Sequence, residues 1–239
     1  MAENRVGRSI GNALGQVFLI VVGVLIAFQA DEWNDDREAD NRAQAQLVAL
    51  AADFRANQAR LDPIMRDQDR VVEAQVELLA VIHGHAPRPP ADSLIVLISW
   101  GYQFFRFEPI TGAYDALVSS GDLGRVRDSE LRVELAAFFG HIARPYEDAA
   151  LGDLARSALF ESIGATTDLL AVTRPSFRGE FPESSVRPDF DRLFGSSQYQ
   201  TQLAVVAIIE RNQRNDFRRI YAQNGDILER LEAYLAGAS

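Results

Sequence analysis

From Ile10 to Ala30 the chain reads IGNALGQVFLIVVGVLIAFQA, 21 residues without a charge. As a helix this stretch extends roughly 31 Å, about the thickness of a bilayer's hydrocarbon core. Its heart, Val17 to Phe28, is apolar on every face, as lipid-facing or fully buried helices are and amphipathic core helices are not. A cleaved signal peptide is the rival reading. Signal peptidase requires small residues at −3 and −1, and cleavage after Ala30 would put bulky Phe28 at −3, so the segment reads as an uncleaved anchor. Trp33 then falls in the interfacial zone that suits an amphipathic indole, ahead of the polar run Asn34, Asp35, Asp36 and Arg37.

The bases flanking the segment are equal in number, Arg5 and Arg8 before it and Arg37 and Arg42 after it. The free amino terminus on the near side and the acids Asp31, Glu32, Asp35, Asp36, Glu38 and Asp40 on the far side favour an inside N-terminus and an outside body. The expected division is a short cytoplasmic N-terminus (1–9), a transmembrane helix (10–30) and an extracytoplasmic helical domain (31–239). Small residues recur at Gly11, Gly15, Gly23 and Ala27, with Leu19 in the gap, a stripe along which a second helix can approach closely. Gln16 lies about a turn inside, where its carboxamide either bonds a partner helix or snorkels to the headgroups.

Composition removes several chemistries. There is no cysteine, hence no disulfide, thiolate metal site or cysteine nucleophile. All 24 basic residues are arginine, so a P-loop lysine, a Schiff-base lysine and a Ser-Lys dyad are excluded. A net charge of −10 disfavours non-specific binding of nucleic acid.

Beyond the anchor, Leu47, Ala51, Phe54, Leu61 and Met65 step by four, three, seven and four residues, a buried helix stripe with Gln58 as its polar member. Pro63 either opens a second helix or kinks a continuous one, and Val72, Leu79 and Ile82 carry the face on to His85. The tract 86–92 holds Pro87, Pro89 and Pro90 and reads as a link, after which Asp92 or Ser93 caps a short helix, Leu94 to Tyr102. A helix from Thr111 runs to Gly121 as a left-handed cap, and Asp128 caps the next, whose inner side carries Leu131, Leu135, Phe138, Ile142 and Tyr146. Pro145 interrupts it, helix resumes from Leu151 to Leu170, and 173–188 reads as an irregular connection. The last helix turns Leu203, Val206, Phe217, Ile220, Ile227, Leu231 and Tyr234 inward, with Gln213 and Asn224 in the same stripe. Strand alternation and fixed-length repeats are absent, so the expected fold is all-α, one N-terminal transmembrane helix followed by an elongated helical bundle.

Two stretches carry a family likeness: Gly15-Gln16-Val17 through Val22-Gly23-Val24-Leu25-Ile26-Ala27 with Gln29 and Trp33-Asn34, and Ala113-Tyr114-Asp115-Ala116-Leu117 with Ser119-Ser120-Gly121-Asp122-Leu123. Together they resemble the DUF6090 family, an uncharacterised set of bacterial proteins. The resemblance implies one N-terminal span, a helical body and a membrane location rather than an activity; with the orientation read from the flanking charges, the expected location is the bacterial inner membrane with the body periplasmic. The resemblance carries no catalytic residues. Family members usually bear glutamate where this chain has Gln16, an exchange that keeps the shape and removes a titratable proton.

The chemical candidates each have a plainer rival. Gly7-Arg8-Ser9-Ile10-Gly11 fits G-x-S-x-G but sits at the membrane entry rather than on a strand-to-helix turn. His83 and His85 could share a metal, with distant His141 as the one further imidazole, but read more simply as loop residues. Tyr114, Ser119, Ser120 and Gly121 form either a polar ligand niche or a capping and packing unit. Trp100, Tyr102, Phe104, Phe105 and Phe107 form either core or a partner-facing patch, and Gln213 and Asn224 can fix register in an apolar seam or face a polar rim. No cofactor or metal is expected, and no set of acid, base and nucleophile emerges. The leading function is a non-enzymatic, membrane-anchored helical protein that works by self-assembly or through another envelope protein, with the lipid bilayer as its first partner. The alternative is an extracytoplasmic sensor bundle that binds a small ligand between helices and signals through a partner, since only some nine residues precede the span.

Overall fold

The computed structural model describes residues 3–142, 149–173, 184 and 186–237, with side chains at 19, 22–142, 150–173, 184 and 186–237. Among the described residues the fold is all helical, without a strand. Helix α1 (Glu3–Ile82) is a single helix of 80 residues, which at helical rise is roughly 120 Å long. It is followed by α2 (Ala91–Gly101), α3 (Gly112–Ser119), a 3-10 turn (Asp122–Arg125), α4 (Ser129–Ile142), α5 (Ala149–Gly164), α6 (Leu169–Thr173), α7 (Phe190–Gly195) and α8 (Ser197–Gly237).

Only the later part of α1 enters the bundle. Its buried face begins at Ala39 and Ala43 and runs through Leu47, Leu50, Phe54 and Leu61 to Val71, Val72 and Leu78. Before it, Leu19, Val24, Leu25, Ile26 and Phe28 are exposed, Leu19 at 71% and Phe28 at 68%. Helix α8 returns antiparallel along α1: Arg55 meets Glu232, Gln58 meets Asn224, and Gln68 meets Glu210. Two apolar cores lie along this pair. One gathers Leu47, Phe54 and Leu61 with Leu117, Val126, Leu131, Leu135, Phe138 and the α8 residues Phe217, Ile220, Ile227 and Leu231. The other gathers Leu78, Leu94, Ile98, Leu159, Ile163, Leu193, Tyr199, Leu203 and Val206.

Pro63 lies inside α1 without ending it. The carbonyl that loses its donor belongs to Ala59, and both residues are on the exposed face, where water can take the bond. Helix α2 begins at Ala91 with Pro90 in the capping position and no side-chain cap, so Asp92 is an acid of the first turn rather than the cap. The expected helix from Leu151 to Leu170 is two: Thr166 Oγ1 donates to the carbonyls of Ser162 and Ile163 at 3.0 Å each, closing α5, and Asp168 accepts from Leu170 N at 3.0 Å to start α6. Helix α7 is a further element, capped by Asp189, which accepts from Arg192 N at 3.0 Å. Two sequence expectations agree in detail. Gly121 has φ +76°, the left-handed conformation that favours glycine, and Asp128 Oδ1 accepts from Glu130 N and Leu131 N at 3.0 Å. Tyr146 and Pro145 lie outside the described residues, as does most of 173–188.

Among the described residues no helix is long and apolar enough to cross a membrane. The side chains of Gly11, Gly15 and Gln16, and of much of the uncharged stretch, lie outside those described, while Gly23, Ala27 and Trp33 are exposed on α1.

Candidate functional site

Between the two apolar cores sits a charged layer. Glu210, on α8, is fully buried. Its Oε1 accepts from Arg156 Nε of α5 at 2.8 Å and its Oε2 from Gln68 Nε2 of α1 at 2.8 Å. The same Gln68 amide also donates to the Glu210 carbonyl at 3.1 Å. Arg156, 12% exposed at its side chain, donates in addition to Asp153 Oδ1 at 3.1 Å and Gln213 Oε1 at 3.2 Å, and its guanidinium lies 4.6 Å from the centroid of Phe104. Asp153 is gripped from the other side by Arg106 at 2.7 Å, which together with Arg156 holds its carboxyl below the usual carboxylate range. A buried carboxylate is tolerable on these terms, because each oxygen has a donor and the charge has a counter-ion.

The layer borders an irregular strap, 102–111, that crosses the bundle between α2 and α3. Such a strap leaves backbone groups to be satisfied by side chains. Asn57 of α1 does this as a second peptide would: its Nδ2 donates to Ile110 O at 3.0 Å and its Oδ1 accepts from Ile110 N at 2.8 Å. Gln75 donates to Gly101 O at 2.7 Å, Gln213 to Phe105 O at 2.5 Å, and Asp53 accepts from Ala113 N at 3.0 Å. The aromatic cluster divides accordingly. Phe107 enters the first core, Tyr102 packs on Phe160, Trp100 lies under Arg70, and Phe104 stays partly exposed between Arg106 and Arg156.

Of the residues singled out in sequence, Gln213 and Asn224 belong to polar rungs of the α1–α8 pair. Asn224 is buried and donates to Phe54 O at 2.9 Å and to Gln58 Oε1 at 2.6 Å, whereas Gln213 is half-buried at the edge of the charged layer. Tyr114 stacks on Phe139 with centroids 3.7 Å apart, and burial followed by the Asp115 charge pushes its phenol up. Ser119 and Ser120 donate to the α3 carbonyls of Ala116 and Leu117, so these residues cap and pack α3 and do not converge on a common space. Beside them Asp122 is buried. Ser120 first, then the Arg42 hydrogen bond and the charges of Arg42 and Arg125, hold its carboxyl low against the opposing effect of burial. Arg125 extends the cluster to Asp36 at 3.1 Å and Asp40 at 3.0 Å, tying the 3-10 turn to the part of α1 that leaves the bundle. Trp33 is exposed, with the Arg37 guanidinium 5.6 Å from its ring. His83 and His85 are exposed beyond the end of α1, and among the described residues no group of His, Asp and Glu is arranged to hold a metal ion.

Glu210, Gln68 and Arg156 carry the layer, Asn57 and Gln75 hold the strap, and none of the five was marked in sequence. The signal was present: Leu203, Val206, Glu210, Gln213, Phe217, Ile220, Asn224, Ile227 and Leu231 alternate steps of three and four, which puts Glu210 in the middle of the buried stripe.

A family model described as "Family of unknown function (DUF6090)" matches residues 16–156, taking in most of the uncharged stretch, α1 to α4 and the strap, and stopping at Arg156. No curated protein and no solved structure matches the chain.

Proposed function

The chain belongs to the DUF6090 family, and on that premise we propose that it is a non-enzymatic, single-pass membrane protein whose helical body works by assembly with itself or with another envelope protein. In this reading residues 10–30 span the inner membrane, the N-terminus is cytoplasmic and the body is periplasmic. The supporting observation is the continuity of α1. One helix carries an uncharged segment and then, without a break, supplies the central face of the bundle, so that segment and the central helix of the body are one piece. The apolar side chains exposed on it between Leu19 and Phe28 suit lipid or a partner helix, and the arginine-bound aspartates Asp36, Asp40 and Asp122 brace the exit.

The sensor reading retains one observation in its favour. A cleft of about 610 Å³ opens where Ala43 and Leu47 of α1 face Val126, Arg127 and Tyr234. Its volume is in the range of small-ligand sites.

Because the chain lacks cysteine, a single introduced cysteine reports assembly cleanly. Asp31→Cys, oxidised in native membranes, should give a disulfide-linked dimer or a defined adduct that falls at least fivefold in the Gly15→Leu/Gly23→Leu double variant. Leu19→Ala, on the same stripe, and Leu25→Ala, off it, are the controls. Crosslinking of the double variant at the parent level refutes the glycine stripe as the interface, and release of the parent chain by alkaline carbonate refutes the anchor.

A further inference from the structure

Facing residues of α1 and α8 fall in two columns of strict seven-residue spacing. On α1 the column is Leu47, Phe54, Leu61, Gln68, Gln75 and Ile82; on α8, read in the opposite direction, it is Leu231, Asn224, Phe217, Glu210 and Leu203. Asn224 bonding Phe54 and Glu210 bonding Gln68 set the alignment of the two columns. A seven-residue repeat is degenerate by its own length, because sliding one helix by about 10 Å again faces apolar residues with apolar residues. Here the slide that moves α1 toward its N-terminus has a particular feature: it brings Gln75 to the place of Gln68, so that a carboxamide again faces Glu210. Phe54, Leu61 and Ile82 then face Leu231, Asn224 and Leu203. What opposes the slide is Gln68 itself, which would be carried opposite Phe217 into the first apolar core, and Leu61, which would face the buried Asn224 in place of its Gln58 partner, together with the loss of Asn57 from Ile110, Gln75 from Gly101, Asp53 from Ala113, Asp122 from Arg42 and Asp36 and Asp40 from Arg125.

We propose that Glu210, with Gln68 and Gln75 as alternative partners one heptad apart, is an axial catch that sets and can exchange the register of α1 against the bundle. The ends of α1 offer little apolar resistance to the movement: before Ala39 it has no buried apolar residue among those described, and after Ile82 it continues into the link 83–90, whose eight residues extend to at most roughly 26–29 Å. Both glutamines have a buried Oε1 without a protein partner, so neither is committed by a second bond on its acceptor side. Since α1 is continuous, a change of register moves the N-terminal segment by the same distance, whatever the body binds.

The test uses the full chain in lipid nanodiscs with spin labels at Val48→Cys on α1 and Ile208→Cys on α8, both exposed sites in a cysteine-free background. The parent should show one distance by double electron–electron resonance. Gln68→Leu, which takes the Glu210 donor from the present register and removes the polar side chain that the alternative would bury against Phe217, should add a second population of at least a tenth of the molecules, longer by about 10 Å. Gln68→Met, of nearly the same shape as glutamine, should do the same and decides the matter if the leucine variant loses helicity. Gln75→Leu, which removes the alternative partner, should keep the parent distance. A single parent-like distance in the folded Gln68 variants, or an equal shift in Gln75→Leu, overturns the proposal.

Discussion

Replacing Arg156 by methionine leaves a fully buried carboxylate without its counter-ion. Glu210 would keep the Gln68 donor at 2.8 Å on one oxygen and lose the arginine Nε at 2.8 Å on the other. Removing one member of a buried pair costs about 3–5 kcal/mol. Because the Arg156 side chain is 12% exposed, some water can follow into its place, so the lower end, about 3 kcal/mol, is expected. That is a large share of the 5–15 kcal/mol that usually separates folded from unfolded chains. Removing both charges is a different matter, since an ion pair replaced by apolar residues of similar volume is often neutral. The Arg156→Met/Glu210→Leu double variant should therefore return to within about 1 kcal/mol of the parent. Arg106→Ala, which removes a half-exposed partner of Asp153, should cost at most about 1 kcal/mol. Urea unfolding of the full chain in mild detergent, followed by circular dichroism, compares all three variants with the parent. The reasoning fails if Arg156→Met costs less than 1 kcal/mol, or if the double variant is no more stable than the single one.

Asn57→Ala strips both partners from the Ile110 peptide and should cost about 1–3 kcal/mol, with tryptic cleavage after Arg106 accelerating several-fold as the strap loosens. Gly121→Ala places a side chain at φ +76° and should cost about 1 kcal/mol in a thermal melt, despite the open space around it. Asp122, Asp128 and Asp153 all have folded-state pKa values lowered by their donors and arginines. A depressed folded value means the contribution is complete above the unfolded pKa of about 4 and disappears as pH falls through the folded values. The urea midpoint should thus drop below pH 4, and Asp122→Asn should flatten that drop while lowering the plateau above it.

The helical class and most of the inner faces were legible because apolar spacing records them directly. Leu47, Phe54 and Leu61 are buried, as are Leu131, Leu135, Phe138 and Ile142, and the turn at Gly121 and the cap at Asp128 follow from residue chemistry alone. The extent of α1 was not legible, since a proline marks a helix break unless the orphaned carbonyl faces water, and that depends on which side of α1 meets the bundle. The charged layer was hidden for a related reason. Glutamate in a helix reads as a solvated residue, and its burial is stable only because Arg156, 54 residues earlier in sequence, arrives beside it. Likewise the carboxamides Asn57, Gln68 and Gln75 make sense only once the strap and α8 present the groups they bond.

Everything proposed about anchoring and movement depends on α1 being one stiff helix from its apolar segment into the bundle. Spin labels at Val24→Cys and Val48→Cys, both exposed on α1, measure this in lipid nanodiscs. At 24 residue steps apart, the two labels on an unbroken helix predict a single narrow distance near 36 Å, at about 1.5 Å per residue. A broad distribution, or a main distance below about 30 Å, would mean that the helix bends or unwinds at the bundle's edge and would contradict the account.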